Sequence, residues 1–157
     1  EKNFSNSGVV IGDALLTGKI DLIRINREDK KIVVIDYKTG SIPLKNGKID
    51  KSNSKIHKYE QQLYFYKILI ENTPEFAGYQ IEKGIIEFIE PSNKTGETYN
   101  YEVCFDPEKE NNLKLLIQAV WQRIKNFNFE FEADKYPKSL KGIKQFEADL
   151  IDEFENR

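Results

Sequence analysis

The chain has 157 residues, 39% hydrophobic and 12% aromatic, which suits one folded domain with its own core and excludes a disordered segment. Its net charge of −2 leaves no overall basic footprint, so any contact with nucleic acid must come from local clusters of lysine. No run of about 18 apolar residues and no secretory signal pattern occurs, which predicts a soluble, cytoplasmic protein with no membrane partner.

Opening on Glu1 and lacking methionine, the chain reads as a fragment of a longer protein. Val9–Leu16 predicts a first strand, interrupted at Gly12 or Asp13, with Thr17-Gly18 as a turn or bulge leading into the next. Ile20–Ile25 and Lys31–Lys38 predict two further strands joined by the polar segment Asn26-Arg27-Glu28-Asp29-Lys30. With a loop from Arg27 to Lys30, Asn26 pairs with Lys31 and Ile25 with Ile32, and the ladder runs back to Asp21 opposite Asp36. Directly opposed residues share a face, with Cβ atoms roughly 4.5–5.5 Å apart. Side chains alternate along a strand, so Asp36 and Lys38 point the same way.

The hairpin therefore gathers two carboxylates and an ammonium on one face. Carboxylates that close repel each other unless a cation lies between them, and hard divalent ions favour such oxygens. The lysine beside them offers positive charge to a developing anion, which is the chemistry of metal-assisted phosphodiester cleavage. An Asp–Lys pair on a strand is also a common surface ion pair of little energetic weight. Here Asp36 ends the apolar run Ile32–Ile35, and Asp21 lies between Ile20 and Leu22. Charges settle in such places when they are paired or bound to a metal.

Ser41 to His57 predicts a long loop. Lys45, Lys48, Lys51, Lys55 and Lys58, opposed only by Asp50, make this stretch basic, suited to tracking phosphates or simply solvated. His57, the one histidine, reads as a solvated loop residue rather than a catalytic one. Lys58–Asn72 predicts a helix, with Tyr59, Leu63, Tyr66 and Ile70 at helical spacing. Gln62 and Tyr66 share one face of it. Tyr66 suits core and site alike, whereas the Gln62 amide needs polar partners.

Gln80–Glu90 and Glu97–Phe105 predict a strand pair joined by the turn Pro91–Gly96. Cys104, the one cysteine, reads there as a buried structural thiol in a reducing compartment. Asp106-Pro107-Glu108 predicts a helix start, with Asp as N-cap and Pro in the first turn. The stripe Leu113, Leu116, Ile117, Val120, Trp121, Ile124 and Phe127 predicts that this helix packs on the sheet, with Trp121 in the core. Leu140, Ile143, Phe146, Leu150, Ile151 and Phe154 predict a last amphipathic helix after Pro137.

Three motifs in order resemble the RecB-type branch of the PD-(D/E)XK nuclease superfamily, most strongly from about Val9 to Ile70. They are Gly18-Lys19-Ile20-Asp21, then Asp36-Tyr37-Lys38-Thr39-Gly40, then the helical Gln62-Leu63-Tyr64-Phe65-Tyr66. The resemblance implies an α/β, restriction-endonuclease-like core, a central mixed β-sheet of about five strands flanked by helices. It implies one domain over 1–157, with a basic active-site loop at 41–57, a C-terminal helix at 138–155 and an N-terminal core helix lying before Glu1.

The same resemblance implies a divalent-metal-dependent DNA nuclease with Asp21, Asp36 and Lys38 as catalytic residues. Mg²⁺ or Mn²⁺ would be held by Asp21, Asp36 and the backbone carbonyl of Tyr37, and Lys38 would position water or stabilise the transition state. Nucleic acid would meet Gln62, Tyr66, Thr39, Lys45, Lys48, Lys51, Lys55 and Lys58. The implied partners are DNA, single-stranded first, and a helicase motor domain in the same or a partner chain. The four-cysteine iron–sulfur cluster of some relatives is excluded by a single cysteine. The alternative under the same resemblance is an inactive nuclease-like module that binds DNA or scaffolds a helicase complex.

Overall fold

Ile32, Val33, Val34 and Ile35 supply the β-branched run around which the fold is built. A computed structural model describes residues 1–156. The strands are β1 (Lys2–Asn3), β2 (Val10–Ile11), β3 (Ala14–Leu15), β4 (Lys19–Ile20), β5 (Leu22–Asn26), β6 (Lys31–Lys38), β7 (Leu44–Lys45), β8 (Lys48–Ile49), β9 (Gln80–Phe88) and β10 (Tyr99–Val103). The helices are α1 (Ser54–Glu71), α2 (Pro107–Lys125) and α3 (Leu140–Glu155), with single 3-10 turns at Pro74–Phe76 and Ala133–Lys135.

The longer strands form one mixed sheet in the order β10-β9-β6-β5, in which β6 and β9 run parallel and the outer pairs antiparallel. This is the restriction-endonuclease-like α/β arrangement, with four strands in the main sheet where about five were expected. Val9–Leu16 is not one strand: Gly12 takes φ +58° and turns the chain, leaving the two-residue hairpin β2–β3. The expected loop 41–57 is shorter as well. Its middle folds into the hairpin β7–β8, and α1 begins at Ser54, capped by the Asn53 side chain accepting from the Lys55 amide at 2.9 Å.

A parallel pair needs a crossover, and α1 supplies the one from β6 to β9 while packing on both strands. Leu63, Ile68 and Leu69 are fully buried beneath it, against Val34, Ile86 and their neighbours. Gly84 on β9 permits this approach, because a Cβ there would lie 2.9 Å from Leu63 Cδ1 and 3.1 Å from Leu63 Cβ. Gly84→Val is therefore expected to overpack the helix–sheet seam and to cost about 1–3 kcal/mol, read as a lowered midpoint in urea with an unchanged slope.

Asp106 caps α2 as its sequence predicts, accepting from the amides of Glu108 and Lys109. The helix does not pack on the main sheet. It lies against α3, α1 and the β2–β3 hairpin, so that Leu113, Ile117 and Trp121 reach the core while Val120, Ile124 and Phe127 stay exposed. Cys104 lies just past the end of β10 and is exposed, not buried. Among the described residues, no helix is long and apolar enough to cross a membrane.

Candidate active site

The β5–β6 hairpin sets the register of the site. Asn26 Oδ1 accepts from the amides of Glu28 and Asp29, an Asx-type turn, and Lys30 takes the left-handed conformation that completes it. Asn26 then pairs with Lys31 and Leu22 with Ile35, the pairing that the loop length predicts. Asp21 occupies the break between β4 and β5, one step beyond that ladder. Its Oδ2 accepts the Tyr37 amide at 3.0 Å, so the carboxylate replaces the backbone carbonyl a strand would have offered.

Asp36 continues the face that buries Ile32 and Val34 and is 2% exposed, the most deeply buried charged group of the described residues. Three side chains converge on it. Gln62 Nε2 donates to Oδ1 at 3.0 Å and the Tyr66 hydroxyl donates to the same oxygen at 3.1 Å. Lys38 Nζ lies 2.5 Å from Oδ2. That last contact is an attraction of charges without hydrogen-bond alignment, which leaves Oδ2 a buried oxygen with no hydrogen-bond donor. Lys38 Nζ also donates to Gln62 Oε1 at 2.8 Å. Burial, and then the nearby charge of Asp36, push the Tyr66 hydroxyl well above its ordinary pKa, so it remains a donor.

A strand residue's N–H and C=O point to the same side. The Tyr37 amide faces Asp21, and so its carbonyl faces that side as well, while the Lys38 carbonyl turns to the other side and accepts from the Ile89 amide. Carboxylate and carbonyl oxygens such as these are the donors that Mg²⁺ and Mn²⁺ favour. The buried Oδ2 has no aligned hydrogen-bond donor and is already paired with a cation, the Lys38 ammonium at 2.5 Å. No group of three or more His, Cys, Asp or Glu side chains that could hold a metal occurs among the described residues.

Gln62 and Tyr66, expected to touch nucleic acid, turn their polar atoms inward onto Asp36 and Lys38, and Tyr66 is buried. Thr39 stands exposed at the end of β6. Lys45 and Lys48 are exposed on the β7–β8 hairpin, and Lys58 is exposed on α1. Lys51 reaches over the Tyr101 ring at 5.6 Å, and Lys55, in the first turn of α1 rather than in a loop, donates to the Ser41 carbonyl at 3.3 Å. The five lysines thus lie along one connection without joining the Asp36 cluster. His57 is not a solvated loop residue: within α1, its Nε2 lies 3.0 Å from both Glu147 oxygens of α3.

Two participants escaped the sequence. Glu90 Oε2 accepts the Gly40 amide at 3.0 Å and ties the chain leaving β6 to the end of β9, and nothing in the pattern marks it. Tyr59 places its ring 5.0 Å from Lys38 Nζ. Its signal was the spacing Tyr59, Gln62, Tyr66, which puts all three on one helical face.

A family model of the PD-(D/E)XK nuclease superfamily matches residues 2–139. The chain belongs to that superfamily, whose members are generally nucleases that use divalent metals on DNA. Comparison with curated proteins and with solved structures finds no match.

Proposed function

We propose that this chain is a divalent-metal-dependent deoxyribonuclease of the RecB type, acting as an exonuclease on single-stranded DNA beside a helicase motor in a repair protein. One observation carries the reading: a nearly fully buried carboxylate, Asp36, is clamped on one oxygen and left without a hydrogen-bond donor on the other, with Lys38 beside it. Asp21, Asp36 and the Tyr37 carbonyl would hold Mg²⁺ or Mn²⁺. When bound, such an ion lowers the pKa of its water and neutralises charge on the phosphate.

The chain's own residues divide the remaining work. Gln62 and Tyr66 fix the Asp36 carboxylate through Oδ1, which keeps Oδ2 turned to the site. In hydrolysis a water oxygen bonds to phosphorus while the bond from phosphorus to the leaving sugar oxygen breaks, and negative charge grows on the phosphoryl oxygens. Lys38 supplies an ammonium against that charge and orients the water. The lysines at 45, 48, 51, 55 and 58 and the Thr39 hydroxyl offer contacts to phosphates along the strand.

A second reading is a nuclease-like module that binds DNA or scaffolds a helicase complex without cutting. Cleavage of end-labelled single- and double-stranded DNA with Mn²⁺, with Mg²⁺ and with chelator separates the two. The expected result is metal-dependent cleavage that chelator abolishes. DNA binding without cleavage at any metal concentration would establish the module instead.

A further inference from the structure

We infer that Tyr59 is a positioning residue for Lys38, its ring face holding the ammonium where it meets the scissile phosphate, an inference that rests on the nuclease reading above. Lys38 Nζ lies 5.0 Å from the Tyr59 ring centroid, inside the roughly 6 Å within which a ring face attracts a cation. The same nitrogen has Asp36 Oδ2 and Gln62 Oε1 as its other neighbours, so a carboxylate, an amide and a ring together define its place.

The three restraints differ in independence. Asp36 Oδ2 is the oxygen assigned to the cation, and a shared carboxylate holds the ammonium less firmly. Gln62 is already committed to Asp36 and Tyr66 through its Nε2. The Tyr59 ring has no competing polar duty, and the sheet fixes its plane. Lys38 and Phe88 are register partners in the β6–β9 pair, and Phe88, itself fully buried, meets Tyr59 edge-on with ring centroids 6.0 Å apart. The strand pairing that places Lys38 thus also places the ring that faces it. A lysine side chain has more rotamer freedom to lose than almost any other, so a fixed ring beside it favours the working position before substrate arrives.

NMR of the Lys38 side chain in the metal-free chain, joined to single-turnover kinetics with Mn²⁺, tests this. The ring current is expected to move the Lys38 Hε protons upfield of those of other lysines, in wild type and Tyr59→Phe but not in Tyr59→Leu. At saturating DNA, Tyr59→Leu is expected to slow cleavage on the order of 10-fold, with half-saturating DNA and metal-dependent stabilisation unchanged, while Tyr59→Phe retains the wild-type rate. A series of fluorinated phenylalanines at position 59 holds volume nearly constant, and its rates should fall as the ring face loses electron density. An unshifted Lys38 signal, or equal rates across the fluorinated series, overturns the inference. A wild type that shows the shift but never cleaves overturns the nuclease reading, and the positioning role with it.

Discussion

Asp36→Asn is expected to lower metal-dependent cleavage by about 10³-fold or more, and to remove the stabilisation that Mn²⁺ gives the wild type. Asn matches the shape of Asp and keeps an Oδ1 that accepts from Gln62 and Tyr66, so the seam between α1 and β6 should survive. What the substitution replaces is Oδ2, by an NH₂ that cannot ligate a cation and that turns a second donor toward the Lys38 ammonium. Breaking a buried ion pair from one side costs about 3–5 kcal/mol when the partner is left stranded. Lys38 is not stranded: its side chain is 19% exposed and keeps Gln62 Oε1 and the Tyr59 ring. The metal-free variant should therefore lose less than that figure.

The decisive readout is the melting temperature with and without Mn²⁺. A ligand at a hundred times its Kd stabilises the native state by about 2.7 kcal/mol, which in a chain of this size raises Tm by roughly 5–10 °C. The wild type should show that rise and Asp36→Asn should show none. An equal rise in both proteins would mean that Asp36 is not a metal ligand, whatever happens to cleavage.

How much of this was legible in the sequence depended on whether local chemistry set each element. The β5–β6 register was, because Asn26 fixes the turn and a period of two fixes which side chains share a face. The start of α1 was not. Its first turn, Ser54 to His57, carries one buried apolar residue, Ile56, so no stripe announced it, although Asn53 stood as a cap. The stripe on α2 was legible but its partner was not: amphipathicity shows that a face is covered, not by what, and here α3 and α1 cover it. Cys104 was misplaced because the alternation that buries Tyr101 and Val103 puts residue 104 on the opposite face, with exposed Asn100 and Glu102. At the site, the shared face of Asp36 and Lys38 could be read from strand spacing, while Gln62 beside them rested on the family resemblance and on an amide in need of partners. That Gln62 and Tyr66 turn inward depends on how closely α1 approaches β9 at Gly84, a tertiary distance no local pattern contains.

Lys38→Met should separate binding from chemistry, lowering cleavage by about 10²–10³-fold while metal binding tightens. In the metal-free chain the ammonium sits 2.5 Å from Asp36 Oδ2, the oxygen assigned to the metal, so an incoming dication must compete with it. Methionine keeps the unbranched reach and a favourable sulfur contact with the Tyr59 ring, but brings no charge. Removing the ammonium takes away both the competitor and a positive charge that repels the cation, and both effects favour metal binding. It also leaves the buried Asp36 carboxylate without its counter-charge, so the metal-free variant should melt below wild type and gain more from Mn²⁺. Calorimetric titration of Mn²⁺ beside single-turnover cleavage reads both quantities. Metal affinity that falls together with cleavage would make Lys38 a support of the site's structure rather than its catalytic cation. Cleavage at the wild-type rate would show that the transition state draws its positive charge from elsewhere on the chain.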